Sequence, residues 1–173
     1  MSEMIFTEPR DPRLTPVRRG GTLTDANHRL LALWAATCAE HVLHLFERVA
    51  PGDDRPRRSI ELCRAWARGE LRTREALARA DANGAAREVT GAAKFAARAA
   101  AQAVAVSHVA AHELGAATYA IRAVRAAAPE AERDEAGRAE CRWQRLQLPP
   151  EIRDLVLDDQ RRRNHACWFV FGD

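Results

Sequence analysis

Alanine dominates the stretch from residue 92 to residue 128, and no other feature of the sequence constrains the fold as strongly. Alanine has the highest helix propensity of the common residues, and its small side chain allows helix axes to approach closely. The nine glycines and eight prolines fall mainly between the periodic segments. We therefore predict an all-α fold, an orthogonal or bundle-like domain of about six to seven helices around an alanine-rich central helix.

The central helix itself is expected to be interrupted. As one rod, residues 92–128 would be roughly 55 Å long at 1.5 Å per residue, which is too long for a compact domain of this size. We therefore expect a break or kink near Gly115. On a helical wheel, large apolar side chains collect on one face, and the opposite face carries His108, His112 and Tyr119 among small residues.

The chain divides into three predicted segments. Residues 1–22 contain prolines and a Gly-Gly pair without a hydrophobic period, which predicts an extended N-terminal arm. Residues 23–160 form the all-helical domain, whose first helix places His41 in the middle of its buried stripe. Residues 161–173 form a basic and then apolar tail, which we expect to dock on the body or on a partner.

Charge and cysteine usage exclude several classes of protein. The net charge of +3 comes almost wholly from arginine, without an aromatic-basic platform, so nucleic-acid binding is not expected. No uncharged stretch is long enough to span a bilayer, and no signal peptide opens the chain. The four cysteines form no CxxC pair. We expect a cytoplasmic protein with no membrane partner and no cofactor.

Three interpretations of the polar face of the central helix remain open. Its side chains are hydrogen-bonded core residues, or they line a ligand pocket, or His108 and His112 bind a metal together with His41. A metal is the least favoured of the three, because the glutamate of the HExxH motif is missing. If the protein is an enzyme, the catalytic candidates are His41, His108, His112 and Tyr119.

A second candidate site is the turn that carries Asp54 and Arg57 at the start of a helix. It is either an ion-paired helix start or a corner that recognises an anion or a carboxylate. Together with the polar face and the first helix, it completes the set of ligand-binding candidates: Trp34, Glu40, His41, Asp54, Arg57, Trp66, His108, His112 and Tyr119.

Several of these landmarks, in order, carry a family resemblance. The Ser-His-Val-Ala-Ala-His motif at residues 107–112 is one, and the others lie at residues 33–36, 38–43, 54–60, 65–70, 115–117, 119–120 and 148–153. The chain resembles, over about residues 28–157, the bacterial immunity proteins of polymorphic toxin systems, the immunity-five-like group. Family members often carry an acid where this chain has Ala111, so the role of that acid is lost or is met by Glu113.

The resemblance implies a stoichiometric binder that neutralises a cognate toxin and has no turnover of its own. The alternative is a small helical enzyme or ligand-binding protein that acts on a small molecule through a pocket lined by His41, His108 and His112. The expected partner is therefore a toxin or other protein, with a small-molecule ligand and a homodimer left open. A binder should tolerate His108→Ala, whereas an enzyme that uses this histidine should lose activity.

Overall fold

A computed structural model describes residues 10–172, and within this range it confirms the all-α prediction, with helices and no strand. Seven of the helices have seven or more residues and form the body: α1 (Asp25–Val42), α3 (Arg55–Ala67), α4 (Thr73–Arg79), α6 (Gly91–Ala105), α7 (Glu113–Ala127), α8 (Arg133–Leu146) and α9 (Pro150–Arg163). Two shorter helices, α2 (His44–Glu47) and α5 (Ala82–Arg87), link them. The helical segment that begins at Asp25 is divided at Leu43, between α1 and α2.

Local sequence signals explain where the helices begin and end. The Thr24 hydroxyl accepts a hydrogen bond from the Asn27 amide at 3.2 Å, as an N-cap does for the orphan amides of α1. Pro56 occupies the first turn of α3, where its missing N–H is not needed. Gly69 follows α3 with a φ of 79°, a left-handed conformation that glycine adopts without steric cost.

The centre of the molecule is a hairpin of α6 and α7. The two helices run antiparallel, because Phe95 lies against Arg122 and Gln102 against Gly115. A Cβ atom at residue 115 would overlap the Gln102 side chain, so glycine permits this close approach. Helix α1 packs across both arms of the hairpin, α3 and α5 cover α6, and α8 covers α7. The hairpin contributes nine fully buried alanines: Ala96, Ala97, Ala99, Ala100, Ala103, Ala116, Ala117, Ala120 and Ala123.

The break in the central segment lies earlier than Gly115, and this corrects the sequence-based expectation. Helix α6 ends at Ala105, a short 3-10 turn covers Ala110–His112, and Gly115 lies inside α7. At the break, the Ser107 hydroxyl donates to the Val104 carbonyl at 2.7 Å, which is the local competition by which serine disfavours helix interiors. The His28 ring of α1 lies 2.6 Å from the Val106 carbonyl, so a carbonyl left open at the end of α6 is satisfied from another helix.

Both ends of the described chain pack on the body. Residues 10–22 form two 3-10 turns (Pro12–Leu14 and Val17–Arg19) rather than an extended arm, and Arg13 pairs with Asp158 of α9 at 2.7 Å. After α9, Cys167 and Phe171 are buried. The division at residues 22 and 160 stays a prediction, and its residues 1–9 and 173 lie outside the described range.

The four cysteines are buried and unbonded to one another, and Cys38 and Cys63 are fully buried, as small apolar residues are. Between residues 10 and 172, no helix has the length and hydropathy needed to cross a bilayer.

Candidate functional site

His112 lies in the turn between α6 and α7, where its environment disfavours a charge. Its Nδ1 atom is 2.7 Å from Oε1 of Gln102. Burial, with smaller contributions from Arg163 and His108, lowers the pKa of His112 to about 4. His112 is therefore neutral near pH 7. Its neighbour His108 is exposed on the same turn.

His41 lies on α1 and faces solvent, which corrects its predicted position in the buried stripe. Its side chain keeps 42% of its surface, although its Nδ1 atom is 2.8 Å from a buried carboxylate oxygen of Glu140 on α8. The imidazole stacks on the Trp143 ring at 3.6 Å between centroids and 10° between planes. The side of α1 that carries His41 is only partly covered by α8, and the rest of the imidazole stays in solvent.

The structure therefore brings only part of the predicted constellation together. His108 and His112 share one turn, whereas the hydrogen bond and stacking partners of His41 are on α8. Tyr119 contacts Phe95 and Trp168 instead. Across the part of the chain that the structure describes, no three His, Cys, Asp or Glu side chains form a group able to hold a metal. The candidate metal ligands His41, His108 and His112 do not form such a site.

The remaining candidates from the sequence have structural partners. The Trp34 indole N–H donates to the Gln144 carbonyl at 2.9 Å in the core, and that of Trp66 donates to the Thr73 hydroxyl at 3.0 Å. Glu40 forms a bidentate pair with Arg64 at 2.7 and 2.8 Å.

The Asp54–Arg57 corner has the features of an ion-paired helix start. Arg57 pairs with Glu47 of α2, and Asp54 flanks α3 without a side-chain capping bond. An anion at this corner would have to compete with Glu47 for the Arg57 guanidinium.

Two features were not foreseen from the sequence. The first is a buried charge cluster, in which Arg163 binds Asp159 and Glu113 and donates to the Ala111 carbonyl at 3.0 Å. The Glu113 side chain is fully buried. Burial, followed by the neighbouring Asp159, raises the pKa of Glu113 well above its ordinary value. Glu113 stands close to Ala111, yet its partners are charges rather than a histidine.

The second feature is a surface cluster that we call the aromatic–arginine patch, made of Phe95, Tyr119, Arg122, Trp168 and Phe169. The Arg122 guanidinium lies 4.3 Å from the Phe95 ring centroid and 4.1 Å from that of Trp168. Trp168 and Phe169 have φ values of 53° and 55°, a left-handed conformation that costs bulky residues about 1–3 kcal/mol each. Only the apolar tail and the aromatic character of Tyr119 hinted at this cluster in the sequence.

The lowered pKa of His112 predicts a loss of stability in acid. Its ordinary pKa applies in the unfolded chain, so between about pH 6.5 and pH 4 the unfolded state binds a proton that the folded state does not. We expect protonation linked to His112 to lower the free energy of unfolding by about 3 kcal/mol over this range. Urea unfolding at several pH values should show a flatter profile for His112→Asn than for the unmodified chain.

Two checks accompany this prediction. His108→Asn replaces an exposed histidine on the same turn and should change the free energy of unfolding at pH 7.5 by no more than about 0.5 kcal/mol. His28 is also buried, and its pKa is lowered first by that burial, so some acid sensitivity should persist in His112→Asn. An acid profile identical to that of the unmodified chain would contradict the assignment to His112.

Comparison with known proteins links this structure to one family. The family model described as "Imm-5 like putative immunity protein" matches residues 21–151, a range that contains α1 through α8. A search of curated proteins and a search of solved structures each found no match.

Proposed function

We propose, from the premise that this chain belongs to the Imm-5 like putative immunity protein family, that it neutralises a cognate toxin by stoichiometric binding. The observation that carries the proposal is the family match across nearly the whole helical body. Such a protein acts by occupying its partner and needs no turnover. As part of the same proposal, the protein acts in the cytoplasm of a bacterium.

The placement of the histidines favours a binder over a small-molecule enzyme. A His-lined pocket requires His41 to converge with His108 and His112, but His41 is engaged by Glu140 and Trp143 on α8. Protein capture makes no such demand, because it uses the outer surface, where arginine and aromatic side chains contribute most of the binding energy.

The test is co-expression with candidate toxins, to find one whose growth inhibition the chain relieves. The unmodified chain should restore growth, and native mass spectrometry should detect a complex of fixed stoichiometry. His108→Ala should protect equally well, since an exposed histidine with no catalytic duty is dispensable. The proposal is wrong if protection occurs without a complex, or if His108→Ala abolishes protection while the fold, followed by circular dichroism, is intact.

A further inference from the structure

Arg122 has an unusual environment for an arginine of this protein. It is half-buried on α7, and its guanidinium stacks against Phe95 of α6 and Trp168 of the C-terminal turn. A cation over a ring face is held by the charge distribution of the ring, which requires none of the N–H donors of the guanidinium. Within residues 10–172, those donors make no hydrogen bond or ion pair. Two rings thus hold the Arg122 guanidinium in place, and its N–H groups remain available to an acceptor.

The cations around Arg122 are uncompensated as well. Arg98 lies close enough to Arg122 to disfavour its charge, and Lys94 precedes Arg98 by one helical turn on α6. In the part of the chain that the structure describes, neither Arg98 nor Lys94 has a carboxylate partner. This contrasts with arginines elsewhere on the surface, such as Arg55, which contacts Asp53, Asp81 and Glu88. Among residues 10–172, the local charge is therefore positive and complementary to an acidic surface.

The C-terminal turn presents aromatic surface beside this charge. Trp168 is 50% exposed and Phe169 is 71% exposed. Their left-handed backbone is fixed by Asn164, whose carbonyl accepts from the Phe169 amide at 2.9 Å and whose side-chain oxygen accepts from the Phe171 amide at 3.1 Å. Hydrogen bonds thus hold two large apolar side chains in water in a conformation that their residue types rarely adopt.

We propose that the aromatic–arginine patch is the surface that docks the toxin, with an Asp or Glu side chain of the toxin on the edge of Arg122 and an apolar neighbour on Phe169. This inference rests on the proposed function and adds the chemistry of the partner to it. A carboxylate matches the guanidinium fork in shape and charge. Arginine, tryptophan and tyrosine are the residues most often found at energetic centres of protein interfaces, and the patch contains all three.

Calorimetric titration of the full chain with the toxin found by co-expression tests the docking surface. Arg122→Gln and Phe169→Ala should each weaken binding by about tenfold or more, and affinity should fall with added salt. Phe169→Ala keeps the test valid if Arg122→Gln disturbs folding, because this ring is largely in water. Matched controls are Arg87→Gln on α5 and Leu146→Ala on α8, where the leucine is 75% exposed, and both should bind within about twofold of the unmodified chain.

A second arm examines the patch without the toxin. An alternating glutamate–leucine octapeptide is titrated into the chain while the NMR signals of the Trp168 indole N–H and the Arg122 Nε–H are followed. Both signals should shift when the acidic peptide is added, and neither should shift when a lysine–leucine octapeptide is added. In Arg122→Gln, the Trp168 signal should not shift with the acidic peptide. If neither signal shifts with the acidic peptide, the proposal that a carboxylate binds Arg122 is wrong.

The two arms separate the possible failures. A chain that binds no toxin but responds to the acidic peptide at Trp168 and Arg122 contradicts the proposed function and retains the patch as an acid-binding surface. Toxin binding that is unchanged in Arg122→Gln and Phe169→Ala contradicts the docking surface and retains the proposed function. A dimer in sedimentation that Phe169→Ala dissociates would assign the patch to a second copy of the chain and overturn the toxin assignment.

Discussion

Replacing Arg163 by methionine is expected to lower the free energy of unfolding by about 3–5 kcal/mol at pH 8, the usual loss when one partner of a buried ion pair is removed. Arg163 contacts both Asp159 and Glu113, whose side chains are 2% and 0% exposed. Without the guanidinium, one buried carboxylate would have no counter-charge, and the Ala111 carbonyl would lose its donor. Methionine keeps most of the apolar volume of the arginine stem, so lost packing contributes little.

This loss should depend on pH in a defined direction. The pKa of Glu113 is raised in the folded protein, so the folded state holds its proton more tightly than the unfolded state does. The stability that Glu113 contributes is complete below its ordinary pKa and falls as the pH rises through the raised pKa. The penalty of Arg163→Met should therefore be smaller at pH 5 than at pH 8, because a protonated carboxyl tolerates burial.

Urea unfolding at these two pH values measures the effect. The double variant Arg163→Met with Glu113→Gln should be more stable at pH 8 than Arg163→Met alone, since it removes a buried charge that has lost its partner. A penalty that is equal at both pH values and unchanged in the double variant would show that Arg163 acts through packing alone.

The helices of this protein are predictable where local chemistry decides them. The cap at Thr24, the proline in the first turn of α3 and the left-handed glycine at residue 69 are each visible in the sequence and present in the structure. Alanine content likewise predicts an alanine-rich central helix that its neighbours can approach closely. These signals need no knowledge of distant residues, because propensity and capping act within a few positions of the chain.

The break in the central segment is decided by tertiary structure. Propensity favours helix throughout residues 92–128, and Gly115 is the position at which the sequence predicts an interruption. The actual break exposes the Val106 carbonyl, which is bonded to His28, a residue 78 positions earlier in the chain. Gly115 serves a different purpose, since it makes room for Gln102 inside a continuous helix. A contact of this range leaves no trace in local periodicity.

The predicted polar face of the central helix rests on the same assumption, that residues 92–114 form one continuous helix. A single straight rod aligns His108, His112 and Tyr119 on one face, but the turn separates the histidines from α7 and leaves His108 in solvent. Charged groups were equally hard to place, because helical patterning treats Arg122 and Arg163 as ordinary surface cations. Arg122 lies over rings from two other elements, and the Arg163 side chain keeps only 15% of its surface and pairs with Glu113 and Asp159.

Replacing Ala99 by leucine is expected to lower the free energy of unfolding by about 3 kcal/mol, the upper end of the range for overpacked cores. Ala99 is fully buried in the middle of α6. It shares a helix face with Phe95 and Gln102, which are four residues before it and three after it, and both of these lie against α7. Three added carbons therefore enter the interface between α6 and α7, where only a shift of one of these helices can accommodate them.

Urea denaturation of Ala99→Leu measures this loss, and Ala126→Leu is the matched control because it adds the same side chain to the exposed side of α7. The control should stay within about 0.5 kcal/mol of the unmodified chain. Equal stability of the two variants would mean that the hairpin is loosely packed and that its alanines are not needed for close approach. A loss of stability confined to Ala99→Leu would show that α6 and α7 must pack closely. The same close packing places Phe95 against Arg122 in the aromatic–arginine patch.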